Sequence, residues 1–391
     1  MKKILFLIFY ISGSCNLQAQ SFSIQFAGSG ASTTVDSVRV ENLVNCTMSN
    51  LIGSDILVCN PGDTLKLTGK SGNYRTVVML IPTYNQTVTF DFVECRDADD
   101  NNYAVLQIGD QLWMAENLKT TKYRDGSDIP NVQDSAGWHT ATSGAWCDYH
   151  NLPDEGAEYG HLYNFYAVDD IRGISPEGWH VASHSECNVM EKYLDNSVDT
   201  TLLMGTGNQI GKMLKENCDT RWAYNPDTWG TNESGFTALC TNFRIGSGAW
   251  SLAPNNDHDD GFWTSTAINN GSAWFRSLRW CFSDIYVLYL QKTFGYSVRC
   301  IKNSTNTNIP DLNFQDGLKI HPNPFTDKVC IESGKNENRI LQVFSLTGSC
   351  VYQSSLAGNK NQESLGFLPK GIYIAKIQGA DWTRQFKLVK Q

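Results

Sequence analysis

The chain has 391 residues, enough for two or three domains, which excludes a single small module. Hydrophobic residues make up 41% and charged residues 18% of the sequence, a balance typical of globular proteins rather than of disordered, collagen-like or coiled-coil chains. The formal net charge is −9, and the sequence has no run of basic residues. Binding to nucleic acid or to an anionic membrane is therefore disfavoured, because phosphate recognition needs concentrated Lys and Arg.

The N-terminus has the pattern of a targeting segment, which we expect to span residues 1–19. Two lysines follow the first Met, an apolar run covers residues 4–11, and a small-residue site predicts cleavage between Ala19 and Gln20. The alternative is a lipoprotein signal in which Cys15 is acylated. The apolar run is too short to cross a bilayer, which takes about 20 residues, and no later apolar run is long enough. We therefore expect a mature chain without a transmembrane span.

Export affects the interpretation of the twelve cysteines, since disulfides persist outside the cytosol. No pair has the C-x-x-C spacing of zinc sites, so disulfides are the favoured explanation. Cys46 and Cys59 are the only pair well inside the first β-patterned segment, and Cys330 and Cys350 are the only cysteines in the last one. We expect one disulfide within each pair.

Four segments differ in character along the chain. Residues 20–95 are predicted to form a β-sandwich-like module, because short runs of alternating apolar and polar residues lie between Pro, Gly and Asn turns. Residues 97–302 hold ten of the eleven Trp and are predicted to form one aromatic-rich domain. Residues 303–313 are mostly polar and have the composition of a linker, and residues 314–391 return to a β pattern. The predicted fold class is mixed and β-rich.

Helix is expected only in the central domain, and only in small amounts. Ser183 and Glu186 occupy the two positions of a capping box, in which each side chain accepts a hydrogen bond from the backbone N–H of the other residue. Cys187 and Met190 follow at helical spacing and are expected to face the core. A second helix is predicted near residues 161–168.

Four blocks of the central domain occur in the order found in one bacterial family. They are Ile108–Leu118 (IGDQLWMAENL), Tyr159–Asn164 (YGHLYN), Pro176–Val181 (PEGWHV) and Gly295–Cys300 (GYSVRC). In this combination the region resembles the Fibrobacter succinogenes major paralogous domain family. That family is similar in pattern to the C-type-lectin-like and sulfatase-modifying folds. The resemblance therefore implies an α+β, C-type-lectin-like domain over residues 97–302.

The last segment has a recognisable pattern of its own. Its characteristic residues are Pro322, Asn323, Pro324 and Phe325 near the start, Gly371 and Tyr373 further on, and a KLVK sequence at the end. Residues 314–391 thereby resemble a type IX secretion C-terminal sorting domain, which implies a small β-sandwich. The resemblance also implies that the type IX secretion machinery is a partner, and that the protein passes through the periplasm to the outer-membrane surface or the medium. The segment's net charge of +4, against −13 for the rest, fits a separately recognised module.

An acidic loop flanked by tryptophans is the strongest ligand-binding candidate in the sequence. Aromatic rings stack on sugars and carboxylates bind calcium, so a glycan or calcium site is the hypothesis for this loop. Its candidate residues are Trp250, Asp257, Asp259, Asp260 and Trp263, of which the three aspartates are the calcium candidates. The alternatives are a solvated acidic loop and Trp side chains that are buried in the core.

Two other patterns are disfavoured as sites. Residues 205–212 resemble a phosphate-binding loop, but Thr206 and Met213 stand where Gly and Ser or Thr are required. His180 and His184 are four residues apart, but only His184 lies inside the predicted helix. We therefore do not expect these two histidines to share a metal ion.

No complete catalytic constellation is found in the sequence. We expect a non-catalytic binding or adhesion protein of the cell surface, with a glycan or another surface molecule as its ligand and with no cofactor apart from calcium in the acidic loop. An enzyme of the sulfatase-modifying type is the first alternative, and it would need Cys281 and Cys300 as an exposed, reactive thiol pair. A structural component of a surface layer is the second alternative.

Overall fold

The computed structural model describes residues 21–218, 222, 225–251, 259–303, 318–334, 336–345, 350–379 and 383–391. These residues fall into two compact units, one that ends at Asn303 and one that follows it. The targeting segment with Ala19 and Gln20, the alternative acylation site Cys15, the loop residue Asp257 and nearly all of the predicted linker lie outside the described residues.

The described part of the first unit is built mainly from strands. They are β1 (Phe22–Gly30), β2 (Ser37–Asn42), β3 (Thr47–Ile52), β4 (Leu57–Cys59), β5 (Leu65–Ser71), β6 (Tyr74–Leu80), β7 (Gln86–Phe92), β8 (Ala104–Ile108), β9 (Gln111–Met114), β10 (Trp146–Cys147), β11 (Leu162–Asn164), β12 (Trp179–Val181), β13 (Met204–Thr206), β14 (Asp259–Ala267), β15 (Ser272–Arg279), β16 (Ile285–Gln291), β17 (Gly295–Val298) and β18 (Cys300–Lys302). The helices are α1 (Ser135–Thr140), α2 (Pro153–Tyr159), α3 (Phe165–Val168), α4 (His184–Leu194) and α5 (Ile210–Leu214), with a 3-10 turn at Tyr149–Asn151. The prediction of a mixed, β-rich fold is confirmed.

Strands from the first predicted module and from the central domain share one sheet. This sheet has eight strands in the order β12-β18-β9-β8-β6-β5-β2-β3. Strands β6 and β8 pair in parallel, with Arg75 opposite Ala104 and Val77 opposite Leu106, so backbone hydrogen bonds cross the predicted boundary near residue 95. A three-stranded sheet, β4-β1-β7, packs on the N-terminal strands through a common apolar cluster. The division into a module and a domain stays a prediction.

A seven-stranded sheet, in the order β10-β11-β17-β14-β15-β16-β13, forms the other large layer of the first unit. Five tryptophans are at most 3% exposed, namely Trp113, Trp138, Trp179, Trp222 and Trp263. Large aromatic side chains bury 150 Å² or more each, so they supply much of the apolar area that holds these layers together. The interpretation of tryptophan as core material is the correct one at these five positions.

The main helix begins as the capping pattern predicts. The Ser183 hydroxyl accepts a hydrogen bond from the Glu186 backbone N–H, and the Glu186 carboxylate accepts one from the Ser183 N–H at 2.8 Å. Cys187 and Met190 are buried, as expected from their spacing. The helix predicted near 161–168 is reduced to α3, because residues just before it pair as strand β11 with β10 and β17.

The second unit, hereafter the tail, contains two sheets. Its strands are β19 (Lys319–His321), β20 (Lys328–Glu332), β21 (Arg339–Ser345), β22 (Cys350–Leu356), β23 (Lys360–Ser364), β24 (Gly371–Gln378) and β25 (Thr383–Lys390), arranged as β19-β20-β23 and β22-β21-β24-β25. Phe325 and Tyr373 belong to the apolar cluster that the two sheets share. The Asn323 side chain accepts a hydrogen bond from the Val389 N–H at 2.9 Å, so the Pro-Asn-Pro-Phe segment is attached to the last strand.

The disulfide differs from both predicted pairs. Cys46 is bonded to Cys218, 172 residues away, whereas Cys59 is a buried thiol at the end of β4. The predicted Cys46–Cys59 bond is therefore wrong, because the turn between β2 and β3 meets the central domain and not β4. Cys330 and Cys350 are both free thiols on strands of different sheets, so the predicted tail disulfide is wrong as well.

Candidate functional site

Two of the five residues predicted as a ligand site are buried. Trp263 is 1% exposed, and its indole N–H donates to the Tyr163 carbonyl at 2.9 Å inside the core. Asp260 is equally buried and accepts a hydrogen bond from the Thr241 hydroxyl at 2.6 Å. Buried side chains cannot contact a ligand at the surface, so the structure contradicts the ligand role predicted for these two residues.

Of the other three predicted residues, only Trp250 has a described side chain. Trp250 is half-buried, and its ring lies against Tyr149 and against the Arg244 guanidinium, 4.8 Å from the ring centroid. Asp259 starts strand β14, but its side chain, like the whole of Asp257, is outside the described residues. A calcium site in this loop therefore stays a prediction.

A cleft of the first unit lies elsewhere, where the N-terminal strands face the central domain. This cleft has a volume of about 470 Å³. One wall comes from β2, β5 and β6 and includes Asn42, Lys66, Thr68 and Arg75. The opposite wall comes from the central domain and includes Glu116, Asn117, Glu216, Asn217, Asn232, Thr237 and Arg299. The cleft exists because β6 and β8 pair in parallel and bring the two walls together.

An ion pair joins the N-terminal strands to the central domain at the cleft. The Arg75 guanidinium donates to both carboxylate oxygens of Glu116, at 2.7 and 2.9 Å, and also to the Asn102 carbonyl. A two-pronged arginine–carboxylate contact fixes orientation as well as distance, because its two parallel hydrogen bonds require coplanar groups. Strand β6 and the segment after β9 therefore form one rigid frame at this point.

A buried arginine lies behind the central-domain wall. Arg299 is 2% exposed, and its Nε donates to the Asn117 side-chain oxygen at 2.6 Å, while its other nitrogens donate to backbone carbonyls, including that of Phe236 at 2.8 Å. Burial lowers the pKa of Arg299 to about 10, and the negative charge of Asp260 opposes this change. Asp260, predicted as a ligand residue, thus belongs to the polar network beneath the cleft.

The disulfide closes the rim of the cleft. Cys46 and Cys218 both line it, with their Cα atoms 5.2 Å apart. Next to the bond, the Asn217 amide donates to the Leu43 carbonyl at 2.7 Å and accepts from the Trp229 indole N–H at 3.0 Å. A covalent bond and a hydrogen-bonded amide therefore attach the turn between β2 and β3 to the central domain.

The lining of the cleft is polar and of mixed charge. Lys66 and Arg39 lie 3.2 and 3.3 Å from opposite oxygens of Glu41, and the Lys119 ammonium donates to the Ala157 carbonyl at 2.6 Å. No aromatic side chain is found among the described residues that line it. The cleft thus offers hydrogen-bonding groups and paired charges, which suit a polar ligand without a large net charge.

In the two patterns disfavoured from the sequence, the groups that would bind a phosphate or a metal ion contact other parts of the protein. In the loop that resembles a phosphate site, the Asp195 carboxylate accepts hydrogen bonds from the backbone N–H groups of Asn208 and Gln209, at 2.8 and 2.7 Å. His180 contacts Glu186 at 2.8 Å, whereas His184 packs on the Trp274 ring. The side chains of His180 and His184 thus have different partners.

The thiols required by the enzyme alternative are not exposed as a pair. Cys300 is fully buried at the start of β18, and burial raises the pKa of its thiol well above the usual range. Cys281 is half-buried in the turn after β15. A thiol that is buried and protonated is a poor nucleophile and a poor metal ligand.

Sequence reasoning missed the cleft, although it had identified part of its wall. Glu116 and Asn117 belong to the first block quoted above, and Arg299 to the last. The signal was the position of these polar residues beside apolar ones, with Glu116 and Asn117 between Ala115 and Leu118, and Arg299 between Val298 and Cys300. Arg75, the partner of Glu116, could not be found in this way, because it lies on a strand with no recognisable pattern.

Comparison with known proteins finds a matching family model for each of two segments of the chain. Residues 319–391 match the model of the secretion system C-terminal sorting domain. The protein is accordingly secreted or displayed on the cell surface, and the tail interacts with the type IX secretion machinery. In the described residues no helix is both long and apolar enough to span a membrane. The search of curated proteins gave no match. Residues 106–302 match the model of the Fibrobacter succinogenes major domain, and with half of its length covered by that match the chain belongs to this family.

Proposed function

We propose that the protein is a non-catalytic binding protein of the cell surface, and that its cleft binds a polar ligand such as a short segment of a glycan. The observation that carries the proposal is the cleft itself, where Glu116, Asn117 and Arg299 of the central domain face the N-terminal strands. Its volume of about 470 Å³ falls in the range of roughly 300–1,000 Å³ typical of ligand sites. On an exported protein, such a site would attach the cell to the ligand.

A glycan suits this lining better than a charged ligand does. Sugar hydroxyls both donate and accept hydrogen bonds, and the half-buried hydroxyl of Thr68 offers both functions at the cleft, whereas the amides of Asn117 and Asn217 are held by other groups of the protein. A polyanion would be attracted by the cations in the cleft but repelled by Glu41 and Glu116, with which those cations pair. The absence of aromatic rings among the described lining residues favours recognition by hydrogen bonds rather than by stacking.

The ion pairs support binding rather than acid–base catalysis. Both oxygens of Glu116 accept from Arg75, and the two oxygens of Glu41 face Arg39 and Lys66. A general acid or base must reach the substrate with a free carboxylate oxygen. These two carboxylates are instead committed to holding the frame.

A glycan array probed with the full-length chain tests the proposal, with and without EDTA. Thr68→Trp places a large ring in the cleft and is expected to abolish binding. Thr89→Trp, a matched change at an exposed position of β7 outside the cleft, should leave binding intact. Equal binding by wild type and Thr68→Trp would contradict the cleft as the site, and loss of binding with EDTA would point back to the acidic loop and its calcium candidates.

A further inference from the structure

Three side chains with metal-binding atoms meet on one sheet of the tail. They are His321 on β19 and Cys330 and Glu332 on β20, and their ligand atoms all lie within 4.8 Å of one another. The described part of the chain contains no second group of this kind. The cluster lies in the sorting unit, so it is separate from the cleft and from the proposed function.

The strand geometry explains why the three side chains meet. His321 lies directly opposite Cys330 in the antiparallel ladder, and Cys330 and Glu332 are two residues apart, which puts them on the same face of the sheet. The alternate residues Val329 and Ile331 are at most 1% exposed and face the core. The cluster therefore lies on the outer face, on regular strands rather than on loops, and a dissolved ion can reach it.

The distances approach those of a tetrahedral zinc site. His321 Nε2 lies 3.6 Å from Glu332 Oε1, and Cys330 Sγ lies 3.9 Å from the same oxygen. With a Zn–S bond of about 2.3 Å and Zn–N and Zn–O bonds of about 2.1 Å, tetrahedral geometry separates the ligand atoms by about 3.4–3.6 Å. These two separations are slightly longer, and the ligand atoms of His321 and Cys330 lie within 4.8 Å of each other, so side-chain rotations would bring the three atoms onto one ion.

We propose that His321, Cys330 and Glu332 form a binding site for a divalent ion of the zinc class, with the fourth position open to water. Imidazole, thiolate and carboxylate are the three ligand types that zinc accepts, whereas calcium and magnesium prefer oxygen atoms alone. The Cys330 thiol gives up its proton to solvent when the S–Zn bond forms, so metal binding is favoured at higher pH.

Lys360 contacts one ligand of the proposed site and competes with the ion for it. Lys360 lies opposite Glu332 in the pairing of β20 with β23, and its Nζ is 2.7 Å from Glu332 Oε1. This ion pair holds the Glu332 carboxylate in place on the outer face of the sheet. The ammonium also occupies the oxygen that the ion needs. Because the Lys360 side chain is 68% exposed, it can move into solvent when the ion arrives.

Such an ion would connect the start of the tail to its sheet. Strand β19 has only three residues, and His321 directly precedes the Pro-Asn-Pro-Phe segment that is characteristic of the tail. Zinc binding would therefore be expected to stabilise the position of this segment relative to β20.

Cobalt(II), which replaces zinc and reports on its ligands by absorption, gives a direct test on the reduced full-length chain. We expect a thiolate-to-cobalt charge-transfer band with the wild type and its loss in Cys330→Ser. Cys350→Ser is the matched control, since it removes an exposed thiol of the same unit that lies outside the cluster. His321→Gln should weaken cobalt binding at least tenfold while the circular dichroism of the chain is unchanged. A band that survives in Cys330→Ser would overturn the proposal.

Competition with Lys360 gives a second, independent readout. If the ion displaces the ammonium, Lys360→Gln should bind zinc more tightly than the wild type, by up to about fivefold for an exposed pair. Weaker zinc binding by Lys360→Gln, measured by competition with a zinc-sensitive dye, would overturn the proposed arrangement.

Discussion

Loss of the Cys46–Cys218 disulfide is expected to destabilise the first unit strongly. The bond joins residues that are 172 positions apart in the sequence. In the chain-entropy model, closing a loop of this length restricts the unfolded chain by about 5 kcal/mol, and residual structure in the unfolded state lowers the measured value. We therefore expect Cys46→Ser to lower the free energy of unfolding by about 3–5 kcal/mol.

Urea unfolding of the oxidised full-length chain, followed by tryptophan fluorescence, measures this loss. Ten of the eleven Trp lie between residues 113 and 280, so the signal reports mainly on the first unit. Cys218→Ser should lower the free energy of unfolding by as much as Cys46→Ser does. The double variant should lower it no further, because each change removes the same bond. Cys350→Ser, which removes an exposed tail thiol, is the control and should leave this transition unchanged.

Two results would refute this reasoning. One is additive losses from Cys46→Ser and Cys218→Ser, which would show that the two residues act independently. The other is a peptide map of the non-reduced protein in which Cys46 is linked to Cys59, as the sequence alone predicts. Finding the Cys46 and Cys218 peptides joined would support the structure directly.

Three further outcomes are expected. Glu191→Gln should lower the free energy of unfolding by about 3–5 kcal/mol in urea, because it leaves the fully buried Arg276 without its counter-charge, and a Glu191→Gln, Arg276→Met double variant should lie closer to the wild type. Burial and the neighbouring Arg276 lower the pKa of His184 to about 4, so the native state resists protonating it, and stability present above the unfolded pKa of about 6.5 should be lost as the pH falls towards 4. In urea titrations, His184→Gln should flatten the dependence of the free energy of unfolding on pH. An unchanged dependence would show that other groups cause it. Removal of residues 314–391 should leave the first unit folded but retained in the periplasm, and normal amounts at the cell surface without lysis would contradict the sorting role of the tail.

The ion pair between Arg75 and Glu116 shows that the cleft is built from two parts of the first unit. Arg75 belongs to the N-terminal strands and Glu116 to the central domain, so the frame needs both parts of the unit. A fragment that starts at residue 97 would lack one wall of the cleft. For this reason the binding test uses the full-length chain.

Local patterns were enough to predict several features of this protein. The capping box at Ser183 and the burial of Cys187 and Met190 follow from spacing within one helix, and the exposed and buried alternation of β5 follows from its period of two. The secretion tail was recognisable because its characteristic residues lie in short stretches. For the helix and the strand, the interactions that decide the outcome join residues close together in the chain.

Only the tertiary structure decided which distant residues meet. The partner of Cys46, the wall that Arg75 contributes to the cleft, and the burial of Trp263 all depend on sheet pairing between segments separated by tens of residues or more. Sequence periodicity predicts which face of a strand is apolar, but it does not predict which other strand pairs with it. That choice is made by the summed packing of the whole unit, and it is why the predicted disulfides were wrong and Asp260 and Trp263 proved to be buried, while the predicted fold class was correct.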